Sequence, residues 1–208
     1  MSLEIKEFTK KIGQDPFIEE YRLFIDMISR LSILDNKIVI DKKIIGGMHE
    51  RFMHAVSCEE QKLKDKDYPP CVNELAMEVC ATKCNSINSR FCFKEINRVE
   101  CLYRLSRISW IEDMISMLED NDERISCWKY EKKDFTNNKY KMHWYLRYKE
   151  GGKDFLVVFR EDKDKLGNIN LNFRTAYPVY LPGDKYKLDK EYRRAIKEGY
   201  EIKKPAFV

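Results

Sequence analysis

The apolar residues of this chain change their spacing once, at Asp120–Glu123. Before it, Ile96, Val99, Leu102, Leu105, Ile108, Ile111, Ile115 and Leu118 recur every three or four positions, the stripe of an amphipathic helix. After it, Met142, Trp144, Leu146 and Tyr148 alternate with Lys141, His143, Tyr145, Arg147 and Lys149, which is the period of a strand. Helices first and strands afterwards predict an α+β fold. The expectation is an N-terminal helical part, residues 1–120, packed on a C-terminal antiparallel four-stranded β-sheet, residues 121–208, with a final helix at the C-terminus. The two form one continuous globular unit.

The predicted strands are Ile125–Glu131, Tyr140–Lys149, Asp154–Arg160 and Ile169–Tyr177. Gly151-Gly152 makes the turn between the second and third. Phe155-Leu156-Val157-Val158-Phe159 is apolar on both faces, so that strand is central. Leu188–Glu198 is a basic helix stopped by Gly199. In the first part, Asp15-Pro16 caps a helix whose stripe runs Phe17, Ile18, Tyr21, Phe24, Ile25, Ile28 and Leu31. Lys37–Ile40 reads as a short strand. Gly46-Gly47 opens a helix carrying His49 and His54, and residues 72–119 read as helical throughout, with breaks near Asn85-Ser86 and Ser109.

Charge is unevenly placed. The 208 residues carry a net +4, but residues 1–120 hold 18 Lys and Arg against 21 Asp and Glu, and residues 121–208 hold 21 against 14. The same last 88 residues contain 16 of the 26 aromatics. A basic, aromatic-rich half has the footprint of a partner of nucleic-acid phosphates and bases; a solvated Lys/Glu surface around an aromatic core is the structural alternative. No apolar run is long enough for a membrane span, and the N-terminus lacks the apolar core of a secretion signal, so a cytoplasmic protein is expected.

Seven cysteines are an odd number, which argues against a disulfide framework. The order C-x8-C-x3-C-x7-C-x8-C from Cys71 to Cys101 lacks the paired knuckles of a zinc ribbon. Cys80 and Cys84 would share a helical face, and with Cys71 and Cys92 would make a structural zinc site; otherwise they are buried small hydrophobes and no cofactor is expected. His49 and His54 are five apart, not the four of a zinc-binding helical pair, and His49-Glu50-Arg51-Phe52-Met53-His54 is one residue too long for the metalloprotease pattern.

The last strand ends Phe173-Arg174-Thr175-Ala176-Tyr177-Pro178. A period of two places Ile169, Leu171, Phe173, Thr175 and Tyr177 on one face, with Arg174 pointing away unless a bulge rotates it. Pro178 ends the ladder by withdrawing a donor. Two hydroxyls at the close of a sheet suit a phosphate.

The His49…His54 helix ahead of the sheet, the apolar strand Asp154–Arg160 and the Phe-x-Thr-Ala-Tyr-Pro ending at 173–178 together resemble the metal-independent ribonuclease superfamily of barnase, EndoU, colicin-type tRNA nucleases and RelE. The likeness is to its phage and contact-dependent toxin branches and covers about half the chain. The resemblance implies an RNA-cleaving enzyme working without a metal: a base takes the proton of a ribose 2′-hydroxyl, which attacks the adjacent phosphorus and leaves a 2′,3′-cyclic phosphate. It implies Thr175 and Tyr177 as phosphate-orienting residues and His49 or His54 as the acid/base. His143 and Arg147 share the polar face of their strand and, with Arg160 and Arg174, are candidates for binding the substrate. RNA is the implied partner, with an immunity or antitoxin protein as a second. The rival expectation is a non-catalytic RNA-binding or phage-associated interaction protein on a degenerate nuclease fold, using Trp144, Tyr145 and the Lys/Arg residues.

Overall fold

The fold is taken from a computed structural model, which describes residues 3–4, 19–24, 31–34, 37–40, 48–63, 90–93, 95–133, 138–163, 165–167 and 169–202. The chain divides into two compact units, residues 1–25 with 46–110 and residues 26–45 with 111–208. The division therefore falls at 110/111 rather than at the change of period, and a stretch near the N-terminus joins the sheet-bearing unit.

In the first unit, helix α1 (Met48–Ala55) is followed by strand β3 (Ser57–Glu59), the one-turn α2 (Glu60–Leu63), β4 (Arg90–Phe93), β5 (Ile96–Glu100) and one-turn α3 (Leu102–Leu105). The three strands are antiparallel in the order β3-β5-β4. This corrects the expectation of helix over 72–119 for Arg90–Phe93 and Ile96–Glu100; residues 72–89 lie outside the described residues. In strands of four or five residues, spacings of two and three cannot be told apart, and Phe91, Phe93, Ile96 and Val99 carry strand propensity. Arg98 is the buried tie of this unit: Nε donates to Ser57 Oγ at 2.8 Å and a terminal nitrogen to the Ser57 carbonyl at 2.9 Å. Phe24 and Phe52 pack with ring centroids 5.2 Å apart. Residues 19–24 are helical, as expected; the Asp15-Pro16 cap lies outside the described residues.

In the second unit, β1 (Leu31–Leu34) and β2 (Lys37–Ile40) form an antiparallel hairpin lying beside β9. Leu31 is thus in a strand and not at the end of the first helical stripe. Helix α4 (Trp110–Glu119) closes with Asn121 in the left-handed region (φ 60°) and the Asp122 amide donating to the Met117 carbonyl at 3.0 Å. Then come β6 (Ile125–Lys133), β7 (Tyr140–Glu150), β8 (Lys153–Lys163) and β9 (Ile169–Pro178), an antiparallel meander in chain order. The expected strands are all present, and Gly151 and Gly152 have φ of 53° and 84°, as a tight hairpin turn requires. Helix α5 (Pro182–Glu198) starts six residues earlier than expected, because Pro182 suits the first helical position, and ends at Gly199 with φ 74°. The segment after it returns to the sheet edge: Lys129 donates to the Tyr200 carbonyl at 2.9 Å and Ile202 to that of Cys127 at 3.1 Å.

Pairing across the sheet defines two faces. One is apolar and buried, with Trp144, Leu146, Phe155, Val157, Phe159 and Phe173. Cys127 lies on it, and burial pushes its thiol up to about 12. The other face carries α5, whose Leu188 and Ala195 close a core with Trp128, Tyr145, Leu156, Val158 and Val179. Trp128 stacks on Tyr145 at 5.3 Å.

The registers do not run straight through β9. Phe159 pairs with Phe173 and the adjacent Val158 with Thr175, so Arg174 is an extra residue in a β-bulge. This corrects the expected single face: Ile169, Leu171 and Phe173 belong to the apolar face, whereas Thr175 and Tyr177 belong to the α5 face. Were Arg174 paired in a regular ladder instead of bulged, Thr175 and Tyr177 would enter the apolar layer in place of Ala176, at the cost of burying unpaired polar groups.

Candidate functional site

The α5 face is apolar only where the helix covers it. Toward the other end of the strands it carries Tyr130 and Lys132 of β6, His143 of β7, Arg160 of β8 and Asn172 of β9, placed there by register, while Thr175 and Tyr177 of β9 pair with Val158 and Leu156 in the rows that α5 covers. The bulge adds Arg174, which is exposed and close enough for its charge to act on His143. Tyr130, Arg160 and Asn172 share the cross-strand row of the half-buried His143 imidazole.

His143 is set by its backbone and by its neighbours. Its Nδ1 lies 3.1 Å from the Lys141 carbonyl. A carbonyl has no proton to give, so Nδ1–H donates, and the neutral ring carries its lone pair on Nε2. Burial holds the imidazole below its usual range against the opposing pull of that hydrogen bond, and the charges of Lys132, Arg174 and Arg160, each a smaller effect, add to the lowering. The ring is therefore a neutral base beside three cations.

Arg160 is oriented by Asp162, to which it donates at 2.7 Å; Asn172 donates to the same carboxylate, and Lys141 lies 3.8 Å from it. The buried Nε of Arg160 has no hydrogen-bond partner among the described residues. Thr175 is half-buried, and Tyr177 packs partly against the α5 core. Tyr145 lies beneath; burial, then the nearby Glu191, Tyr177 and Tyr130, push its phenol well above the usual range.

Arg147 shares this face but is otherwise engaged. Only 2% exposed, it donates to Asp154 through Nε at 2.8 Å and a terminal nitrogen at 2.7 Å, and to Asp189 of α5 at 2.7 Å. It ties α5 to the sheet, and its donors face carboxylates rather than a substrate phosphate.

The remaining expected residues lie elsewhere in the chain. His49 and His54 belong to α1 of the first unit; His54 is half-buried at the end of that helix, its carbonyl accepting from Arg98 at 3.3 Å. Cys71, Cys80 and Cys84 lie outside the described residues, as does the side chain of Cys92. Among the described residues no three His, Cys, Asp or Glu side chains are grouped to hold a metal ion, and no helix is long and apolar enough to cross a membrane.

Lys132 and Glu191 were not singled out from the sequence. Lys132 was legible as the polar face of β6. Glu191 was legible too, three residues after Leu188 and four before Ala195, on the stripe that must meet the sheet.

Comparison with protein-family models, with curated proteins and with solved structures finds no match to this chain.

Proposed function

We propose that the sheet-bearing unit is a metal-independent endoribonuclease that cleaves RNA by attack of a ribose 2′-hydroxyl on the neighbouring phosphate, giving a 2′,3′-cyclic phosphate. The observation that carries this reading is His143, a neutral imidazole whose Nε2 lone pair meets no described residue, set among Lys132, Arg160 and Arg174. A base for the 2′-hydroxyl and a concentration of positive charge for the pentavalent phosphate are the two things such a reaction needs. Accordingly His143, rather than His49 or His54, takes the proton. Arg160, Arg174 and Lys132 hold the phosphate, and the unpaired Nε of Arg160 is a donor that an anion would satisfy. Thr175, in the row next to that of His143, orients the phosphate from β9, with Tyr177 a further row along toward α5.

The test is cleavage of single-stranded RNA in excess chelator, with identification of the new 3′ end. His143→Ala should lose at least about a hundredfold of the rate while keeping its fold, and a 2′-deoxy residue at the scissile position should block cleavage. Tyr177→Phe should lose less, since it removes one hydrogen bond and no proton carrier. Binding of RNA with no cleavage under any of these conditions would leave the non-catalytic RNA-binding reading in its place.

A further inference from the structure

Two lysines face each other across the polar end of the sheet. Lys132 of β6 is the direct cross-strand partner of Lys141 of β7. Both lie on the α5 face, because Tyr130 and His143, two residues away along the same strands, pair in the adjacent row of that face. Side chains opposed in this way have Cβ atoms about 5 Å apart, and like charges there repel. Helix α5 covers the row of Trp128 and Tyr145 and leaves this one open, with Lys132 exposed and Lys141 half-buried. The Lys141 ammonium lies 3.8 Å from Asp162 of β8, but that carboxylate is already engaged by Arg160 at 2.7 Å and by Asn172. No acid among the described residues pairs with Lys132. The two lysines therefore share one carboxylate whose charge is largely spent on an arginine. An anion placed between them would turn their repulsion into attraction.

Direct contacts join this pair to the His143 row. The Lys141 carbonyl accepts from His143 Nδ1 at 3.1 Å. Asp162 links the Lys141 side chain to Arg160, which is the cross-strand partner of His143. The two rows are two residues of strand apart, about 6.7 Å. That is close to the distance between successive phosphates along an RNA strand. A phosphate held against His143 and Arg160 thus has a second cationic position one nucleotide away.

Resting on the ribonuclease reading, we propose that Lys132 and Lys141 form a second phosphate subsite, which holds the phosphate next to the scissile one on the same RNA strand. Lys141 serves only this neighbouring phosphate, and Lys132 serves both. The subsite makes and breaks no bond. It acts on the ground state and the transition state alike, so its effect falls mainly on KM. It also defines the substrate class: internal linkages of a polynucleotide, in preference to an isolated dinucleotide that carries no second phosphate.

The experiment compares a ribonucleotide dimer with the same dimer bearing an added 5′-phosphate and with the same dimer bearing an added 3′-phosphate. Each added group stands next to the scissile phosphate, on one side or the other. For wild type, one of the two phosphorylated dimers should exceed the bare dimer in kcat/KM by at least about tenfold, chiefly through KM, and the advantage should shrink as salt is raised. Lys141→Gln should reduce that advantage to about twofold or less, while cleaving the bare dimer within a few-fold of wild type. Lys141→Arg should keep most of it. No advantage for either phosphorylated dimer, or an advantage that survives Lys141→Gln, would overturn the subsite while leaving His143 and the nuclease reading standing. So would an equal loss by Lys141→Gln on all three substrates, which would mean that the lysine acts only through Asp162. A wild-type protein that cleaves none of the three would overturn that reading and this one with it.

Discussion

Phe173 and Thr175 are two residues apart in one strand and face opposite sides of the sheet, because Arg174 between them is unmatched in β8. The bulge lets β9 give Phe173 and Ala176 to the apolar face and Thr175 and Tyr177 to the other. It also sets a guanidinium against His143. Deleting Arg174 should therefore leave a regular ladder with every other pairing intact. We expect the deletion to cost less than about 2 kcal/mol in denaturant melts, whereas deleting Ala176 should cost roughly 4 kcal/mol or more, since it slips the strand end by one residue. Equal costs would mean that the register around Arg174 is not as described.

The Arg147–Asp154 pair is buried on both sides, at 2% and 4% side-chain exposure. Asp154→Asn should destabilise the protein by about 3–5 kcal/mol, because it leaves the buried guanidinium with only the part-exposed Asp189 as a charged partner. The pair's third member, Asp189, adds a pH dependence. Burial raises its carboxyl, but the Arg147 charge and hydrogen bond outweigh this, so the folded value lies below the usual 3.8. Its contribution is present above about pH 4 and is lost as pH falls through that lowered value. It should be small, since Asp189 is 43% exposed. Asp189→Asn should flatten the acid side of the stability curve without changing stability near pH 7 as much as Asp154→Asn does.

The His143 ring should titrate below 6.5, read from its ring-proton resonances. Removing a cation, by Arg174→Ala or Lys132→Ala, should raise that value, and so should inorganic phosphate, whose charge offsets the same cations. A folded value below the unfolded one means that the unfolded chain binds more protons in the interval between them. Stability should therefore rise with pH through that interval and level off above about 6.5. An imidazole titrating above 6.5 in the free protein would remove the argument for a neutral base.

Local sequence was sufficient for the sheet because each of its long strands repeats one physical signal. Alternation over β7, the doubly apolar run of β8, the paired glycines between them and the glycine after α5 each specify a conformation without help from the rest of the chain. His143 and Arg147 were likewise legible as one face of their strand by parity alone, while Arg160 joined that face only through the pairing of β8 with β7. Where elements were short the signal failed, and Arg90–Phe93 and Ile96–Glu100 passed for helix because one or two apolar repeats fit either period.

What the amino-acid sequence determined by itself was the order of elements and which side chains each strand alternates, since both depend on spacing along the chain. Tertiary structure decided the rest. The bulge at Arg174 arises only when β9 meets β8, and it reverses the face of every residue beyond it. Arg147 and Arg160 look alike in sequence, but one meets Asp154 and Asp189 in the core and the other lies beside His143. Glu191 is half-buried only because α5 folds back onto the sheet. Such long-range pairings are set by burial and by the matching of charges, which the local pattern does not encode.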